Sequence, residues 1–146
     1  MKVLVDTAIW SLALRRKATD LNAHEESLVY ELRELIKEGR VQMLGLVRQE
    51  LLSGIKNTAQ FEKLRGILRA FPDDPLDISD YEAAATASNS CRAKGIVVAA
   101  VDALVCAVAL RKDLLIFTTD LDFQNYSKAL PFKLHVPRKQ AMQKLP

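Results

Sequence analysis

The 146 residues are 49% hydrophobic and 27% charged, a globular balance that excludes a disordered chain, and the length suits one domain without room for a second of ordinary size. A net charge of +3 permits a polyanionic partner but does not demand one, since a solvated surface accounts for it equally well. The two cysteines, Cys91 and Cys106, have neither pairing nor metal-ligand spacing, which excludes a disulfide scaffold and leads us to expect a reducing, cytoplasmic setting.

The start, Met1 to Asp6, has an apolar run too short for a signal peptide and an acid that interrupts it at once. Residues Lys2 to Val5 read as a buried strand, and Thr7 to Arg16 as a helix carrying Trp10, Leu12 and Leu14. After a polar break, Asn22 and Glu25 stand at capping-box spacing before a long amphipathic helix. Its expected core stripe is Leu28, Val29, Leu32, Leu35 and Ile36, and Gly39 ends it. Val41 to Leu44 reads as a second strand, followed by a helix from about Val47 to Ser53 that carries Glu50. A further helix is expected over Thr58 to Ala70, with Phe61, Leu64, Ile67 and Leu68 on one face. Phe71 to Pro75 is a turn. Ser79 and Glu82 form a second capping box, opening an alanine-rich helix that Gly95 closes.

Ile96 to Val101 leads into Asp102, and Ala103 to Leu110 is apolar on nearly every side, as a fully buried helix would be. Gly95 to Leu110 is the longest membrane-span candidate, and Asp102 breaks it, so no membrane segment is expected. Leu114 to Thr118 is a strand, Asp120 to Ala129 a turn with a short helix, and Phe132 to Val136 the last strand. The domain is expected over 1–137, with a loose basic tail over 138–146. Strands that are continuous apolar runs, alternating with helices, predict a mainly parallel sheet covered on both faces, a three-layer α/β/α sandwich.

Four acids stand out against that frame. Asp6 and Asp120 follow strands, and functional groups in open parallel sheets gather at the strands' carboxyl ends. Glu50 lies just after the second strand, Asp102 opens the most buried helix, and Asp122 follows Asp120 by two residues. Each has a plainer reading: Asp6 and Asp102 as helix caps, Glu50 as a surface residue, Asp120 and Asp122 as turn residues. If the acids meet, they need a counter-charge, because two unit charges about 4 Å apart repel by roughly 4 kcal/mol at an effective dielectric of 20. A hard divalent cation with oxygen ligands is the natural one. The only histidines, His24 and His135, have no metal-ligand or triad spacing, and there is no P-loop, GxGxxG or GxSxG. Any chemistry therefore falls to carboxylates and metal.

Four segments in order carry a family resemblance: Val3 to Trp10, Val47 to Gly54, Val101 to Ala109 and Ile116 to Phe123. Together they resemble the PIN-domain ribonucleases, most closely the VapC toxins of bacterial toxin–antitoxin pairs, over the chain from Met1 to about His135. The resemblance implies a metal-dependent endoribonuclease with one or two Mg2+ or Mn2+ ions. Carried over by position, the catalytic acids are Asp6, Glu50, Asp102 and Asp120, with Asp6, Asp102 and Asp120 as metal ligands. Asp122 is a fifth ligand or a structural neighbour, and Thr7 and Thr119 are hydroxyls that orient the carboxylates. It also implies a structured RNA substrate (tRNA or rRNA) cut by a metal-activated water, a small antitoxin that covers the groove, and a homodimer.

Two features depart from the family pattern. Ala8 stands where many relatives have Ser, and Ala100 and Val101 stand where polar residues are common, which removes hydrogen bonds a ligand would otherwise receive. Rival readings are a PIN-like module that binds RNA or antitoxin with little turnover, a housekeeping RNA-maturation nuclease, and an unrelated α/β phosphatase. The last would want an aspartate where Ala8 stands. Elsewhere, Trp10 reads as a partly buried packing residue, Cys106 as small core packing, and Arg15, Arg16 and Lys17 as a solvated basic face.

Overall fold

Val3, Leu4 and Val5 are all fully buried, although alternate residues of a strand point to opposite faces. Only a strand covered on both sides allows that, and these three residues form β1 (Val3–Val5) in the computed structural model, which describes residues 1–138. The chain continues through α1 (Thr7–Leu14), α2 (Ala23–Lys37), β2 (Val41–Gln42), α3 (Gly45–Leu52) and α4 (Thr58–Leu68). It ends with α5 (Ile78–Ala93), α6 (Ala100–Arg111), β3 (Leu115–Phe117), α7 (Asp122–Tyr126) and β4 (Lys133–Leu134). The four strands form one sheet in the order β2-β1-β3-β4, and every pairing is parallel. The expected α/β/α sandwich is therefore the fold. Among the described residues no helix is long and apolar enough to cross a membrane.

The register that matters is between the two central strands, where Val5 lies beside Phe117. It brings the residues that leave β1 and β3, Asp6 and Thr118, side by side at one edge of the sheet. Ile116 and Phe117 are buried like their β1 neighbours, so the apolar run fixes this alignment as well as the strand.

Helix boundaries follow local chemistry. Asn22 and Glu25 form the expected capping box, with reciprocal hydrogen bonds of 2.8 and 3.0 Å. Leu28, Val29, Leu32 and Leu35 are buried as expected, but Ile36 is exposed, because it lies beyond the edge of the α2 core stripe. Ile67 of α4 is exposed for the same reason, while Leu64 and Leu68 carry that helix's contact with the core. The cap of α5 differs from expectation. Asp77 rather than Ser79 is the N-cap, and it exchanges hydrogen bonds of 3.0 and 2.9 Å with Asp80. Asp80 is buried and also ion-paired with Arg111 of α6, a tertiary partner that Glu82 lacks in this register.

Strand ends are shorter than the apolar runs suggested. Met43 bridges to Asp73 outside the sheet, and Leu44 is already the N-cap of α3. Gly45 opens α3 where a Cβ would come within 3.2 Å of the Asp73 carboxylate, so this position keeps room for the loop that crosses it. α6 begins at Ala100, which puts Asp102 inside its first turn rather than at its cap. Trp10 is fully rather than partly buried and packs edge-on against Phe71 at 5.0 Å. Both cysteines are free and buried. Arg138, the head of the expected tail, pairs with Glu31 at 2.6 Å and with Glu38 at 2.9 Å, and the rest of that tail lies outside the described residues.

Candidate metal centre at the carboxyl edge of the sheet

Asp6 has the extended backbone of an N-cap, yet its side chain makes no capping hydrogen bond to α1. Its carboxylate instead accepts a hydrogen bond from the Thr118 hydroxyl at 2.8 Å. The same hydroxyl oxygen accepts one from the backbone N–H of Asp120 at 3.0 Å, and the Asp120 carboxylate accepts one from the Asp122 N–H at 2.9 Å. One short segment after β3 thus holds Asp6, shapes its own turn and presents Asp120 and Asp122. Asp102 arrives from the first turn of α6, and its carboxylate accepts a hydrogen bond of 2.7 Å from the Tyr126 hydroxyl on α7.

Carboxylate oxygens of Asp102, Asp120 and Asp122 all lie within 4.8 Å of one another. Asp6 and Glu50 are close enough to act on this group electrostatically. Burial raises the Asp6 carboxyl above its ordinary range; the Thr118 hydrogen bond works against that and the Asp120 charge adds to it. Burial also raises Glu50, and the charges of Asp6 and Asp102 raise it further. Asp102 is raised by burial first, lowered by the Tyr126 hydrogen bond, and raised again by Asp6, Asp120 and Asp122. The Tyr126 hydroxyl is itself raised, by burial and by the carboxylate it serves, so it stays a donor at neutral pH.

No side-chain cation relieves this repulsion: among the described residues, none of the ion pairs includes any of the five acids. Arg48, only two residues from Glu50, points the other way. It binds Asp73 at 2.8 Å, the Leu68 carbonyl at 2.9 Å and the Phe71 carbonyl, and so ties α3 to the turn after α4. Three carboxylates presenting oxygens within a few ångströms, without a counter-charge, are a donor set that fits a hard divalent cation.

The expected hydroxyls divide. Thr7 is half-buried beside Glu50, and its hydroxyl, hidden from solvent, faces that acid. Thr119 is exposed on the rim, and the hydroxyl that reaches an acid is that of Thr118. Thr118 and Tyr126 are the two members that sequence reading missed. Thr118 had a signal, since it leaves β3 as Asp6 leaves β1. Tyr126 had none, because its contact depends on α7 folding back over α6.

Fold and site together define a class: a parallel α/β/α domain with a cluster of carboxylates at the carboxyl edge of its sheet. The PIN domain family matches residues 3–129, and the chain belongs to it. No curated protein matches the chain. Among solved structures it is similar to FitAcB from Neisseria gonorrhoeae, at 24% identity and a TM-score of 0.73 over 92% of this chain and 97% of that one. It is also similar to VapBC2 from Rickettsia felis bound to a DNA fragment from their promoter (18% identity, TM-score 0.73, 92% and 98% covered). A third similar structure is VapBC-1 from nontypeable Haemophilus influenzae (14% identity, TM-score 0.69, 95% and 100% covered).

Proposed function

We propose that the chain is a Mg2+- or Mn2+-dependent endoribonuclease and the toxin of a toxin–antitoxin pair, with residues 1–137 as its working domain. The observation that carries this reading is the group Asp102, Asp120 and Asp122, flanked by Asp6 and Glu50 and, among the described residues, in no ion pair with a side-chain cation. Asp6, Asp102 and Asp120 are the ligands we assign to one or two cations, with Asp122 beside them. Once bound, the cation would offset charge on an RNA phosphodiester and make a water easier to deprotonate.

The chain's own side chains set the geometry. The Thr118 hydroxyl orients Asp6 and the Tyr126 hydroxyl orients Asp102, each leaving part of the carboxylate free for a ligand. Tyr126 thereby supplies to Asp102 a hydrogen bond that Ala100 and Val101 have no means to give. Glu50, exposed at the edge of the group and raised by its neighbours, is the acid we assign to accept a proton at its carboxylate. The toxin reading, with a small antitoxin as partner, is supported by the fold's similarity to the FitAcB and VapBC structures, and a homodimer and a cytoplasmic setting belong to the same reading.

The test is cleavage of total bacterial RNA by purified protein with Mg2+ or Mn2+, with EDTA, and with Asp6→Asn, Asp102→Asn and Asp120→Asn. We expect discrete fragments from the parent that vanish with EDTA and fall at least a hundredfold in each folded variant. Folded variants that cut as fast as the parent would remove those acids from the site. A parent that binds Mn2+ but cuts nothing would favour the RNA- or antitoxin-binding module.

A further inference from the structure

Beside the acids lies a cavity of about 250 Å3 that the metal reading leaves unused. It opens where β3 and β4 end, between the first turn of α2 and the start of α7, and Asp120 stands on its rim. Its floor is apolar, with Leu28 and Leu134. Its rim is polar: beside Asp120, His24 comes from α2, Gln124 from α7, and His135 follows β4.

The lining argues for one kind of occupant. Among the described residues no lysine or arginine lines the cavity, and an aspartate guards its mouth, which disfavours a phosphate. At this size it is smaller than pockets that hold drug-sized ligands, roughly 300–1,000 Å3, and suits a single ring system. An apolar floor with amide and imidazole groups at its edge matches an uncharged heterocycle with donors and acceptors around its perimeter. His135 is held in place for such a contact. Its Nε2 meets the buried Glu31 carboxylate at 2.5 Å, and its ring stands edge-on to Phe117 at 5.2 Å.

We propose that this cavity is a base subsite: it receives an unpaired nucleobase of the same RNA strand whose phosphodiester lies against the acids. Sequence-specific RNA recognition works largely through unpaired bases that are turned out, stacked and hydrogen-bonded along their edges. A subsite touching Asp120 reads a nucleotide next to the cut, and so confers a base preference at that position. The inference rests on the nuclease reading for its link to cleavage, but not for the binding itself.

Two measurements separate the inference from that reading. The first cuts a random-sequence single-stranded RNA pool in Mn2+ and sequences the new ends, for the parent, Gln124→Ala and His24→Ala. We expect a base preference at one position beside the cut, flattened at least tenfold in the variants. Variants that keep the parent's preference would overturn the subsite. The second titrates uridine, cytidine, adenosine and guanosine into the metal-free protein and follows the His24 and His135 ring signals and the Gln124 amide by NMR. Saturable shifts with at least one nucleoside, lost in Gln124→Ala, are expected even if no RNA is cut. An absence of shifts with all four nucleosides would overturn the subsite, as would shifts produced by an apolar peptide alone, which would assign the cavity to a protein partner. A parent that binds a nucleoside but cleaves no RNA would keep the subsite and sink the nuclease.

Discussion

Thr118 and Tyr126 each give one hydroxyl to one acid, and neither is among the ligands we assign. Hydrogen-bond partners of this kind commonly cost 10–100-fold in metal affinity when removed. We expect Thr118→Val and Tyr126→Phe each to weaken Mn2+ binding by about 10-fold or more, read by titration of the EPR signal of free Mn2+. A purely structural role would lower the melting temperature and leave the Mn2+ titration unchanged. At this scale the sequence was partly legible. Asp6, Asp102 and Asp120 could be picked out because strands and an apolar helix lead into them. The hydroxyls were harder. Thr118 and Thr119 are neighbours in the chain, and only the register of β3 against β1 turns the first of them toward Asp6.

Glu50 is delivered by a short helix with little else to hold it at the site. The short α3 is fixed by Val47 and Leu51, which are buried, and by Arg48, which reaches the Leu68 and Phe71 carbonyls and Asp73. We expect Arg48→Met to destabilise the fold by about 2 kcal/mol, since it strands two carbonyls and a carboxylate, measured as a shift in urea midpoint. Cleavage should fall further than stability alone explains, because Glu50 moves with α3. A loss of stability with full activity would show that α3 holds Glu50 without this anchor. Elements were legible where a pattern repeats: the α2 stripe and the β1 run came through with only their edges wrong. The α5 cap was not, because two acid-spaced signals overlap and the choice rests on Arg111, some thirty residues away in sequence.

For the whole molecule, the acids act as a load on stability that depends on pH. Asp6, Glu50 and Asp102 all hold their protons more tightly in the folded chain than in the unfolded one. Stability from these groups is therefore greatest at low pH and falls as pH rises from their ordinary range through their raised folded values. In metal-free protein, Asp102→Asn should melt above the parent at pH 7, by roughly 2–4 °C for each kcal/mol of repulsion relieved, and the gain should shrink toward pH 4. Saturating Mg2+ should reverse the order at pH 7, because only the parent keeps the full set of ligands. A gain that is constant with pH would mean that the repulsion lies elsewhere. The architecture was the most legible level, since alternating helices and fully apolar strands leave few alternatives to a covered parallel sheet. The strand order was not, because no pattern in a strand says which neighbour it will choose.

That strand order has a consequence in time. β3 sits in the middle of the sheet although it comes late in the chain, and Asp6 meets Thr118 across 112 residues. A ribosome delivers Asp6 well before Tyr126. Until residues beyond Phe117 have emerged, β1 lacks its central neighbour and the acids remain scattered along a growing chain. A product cut short anywhere before Thr118 carries at most three of the five acids and no way to gather them. Whatever the gathered carboxylates do, the cell that makes this protein is spared it until β3 and the residues that follow it have been made.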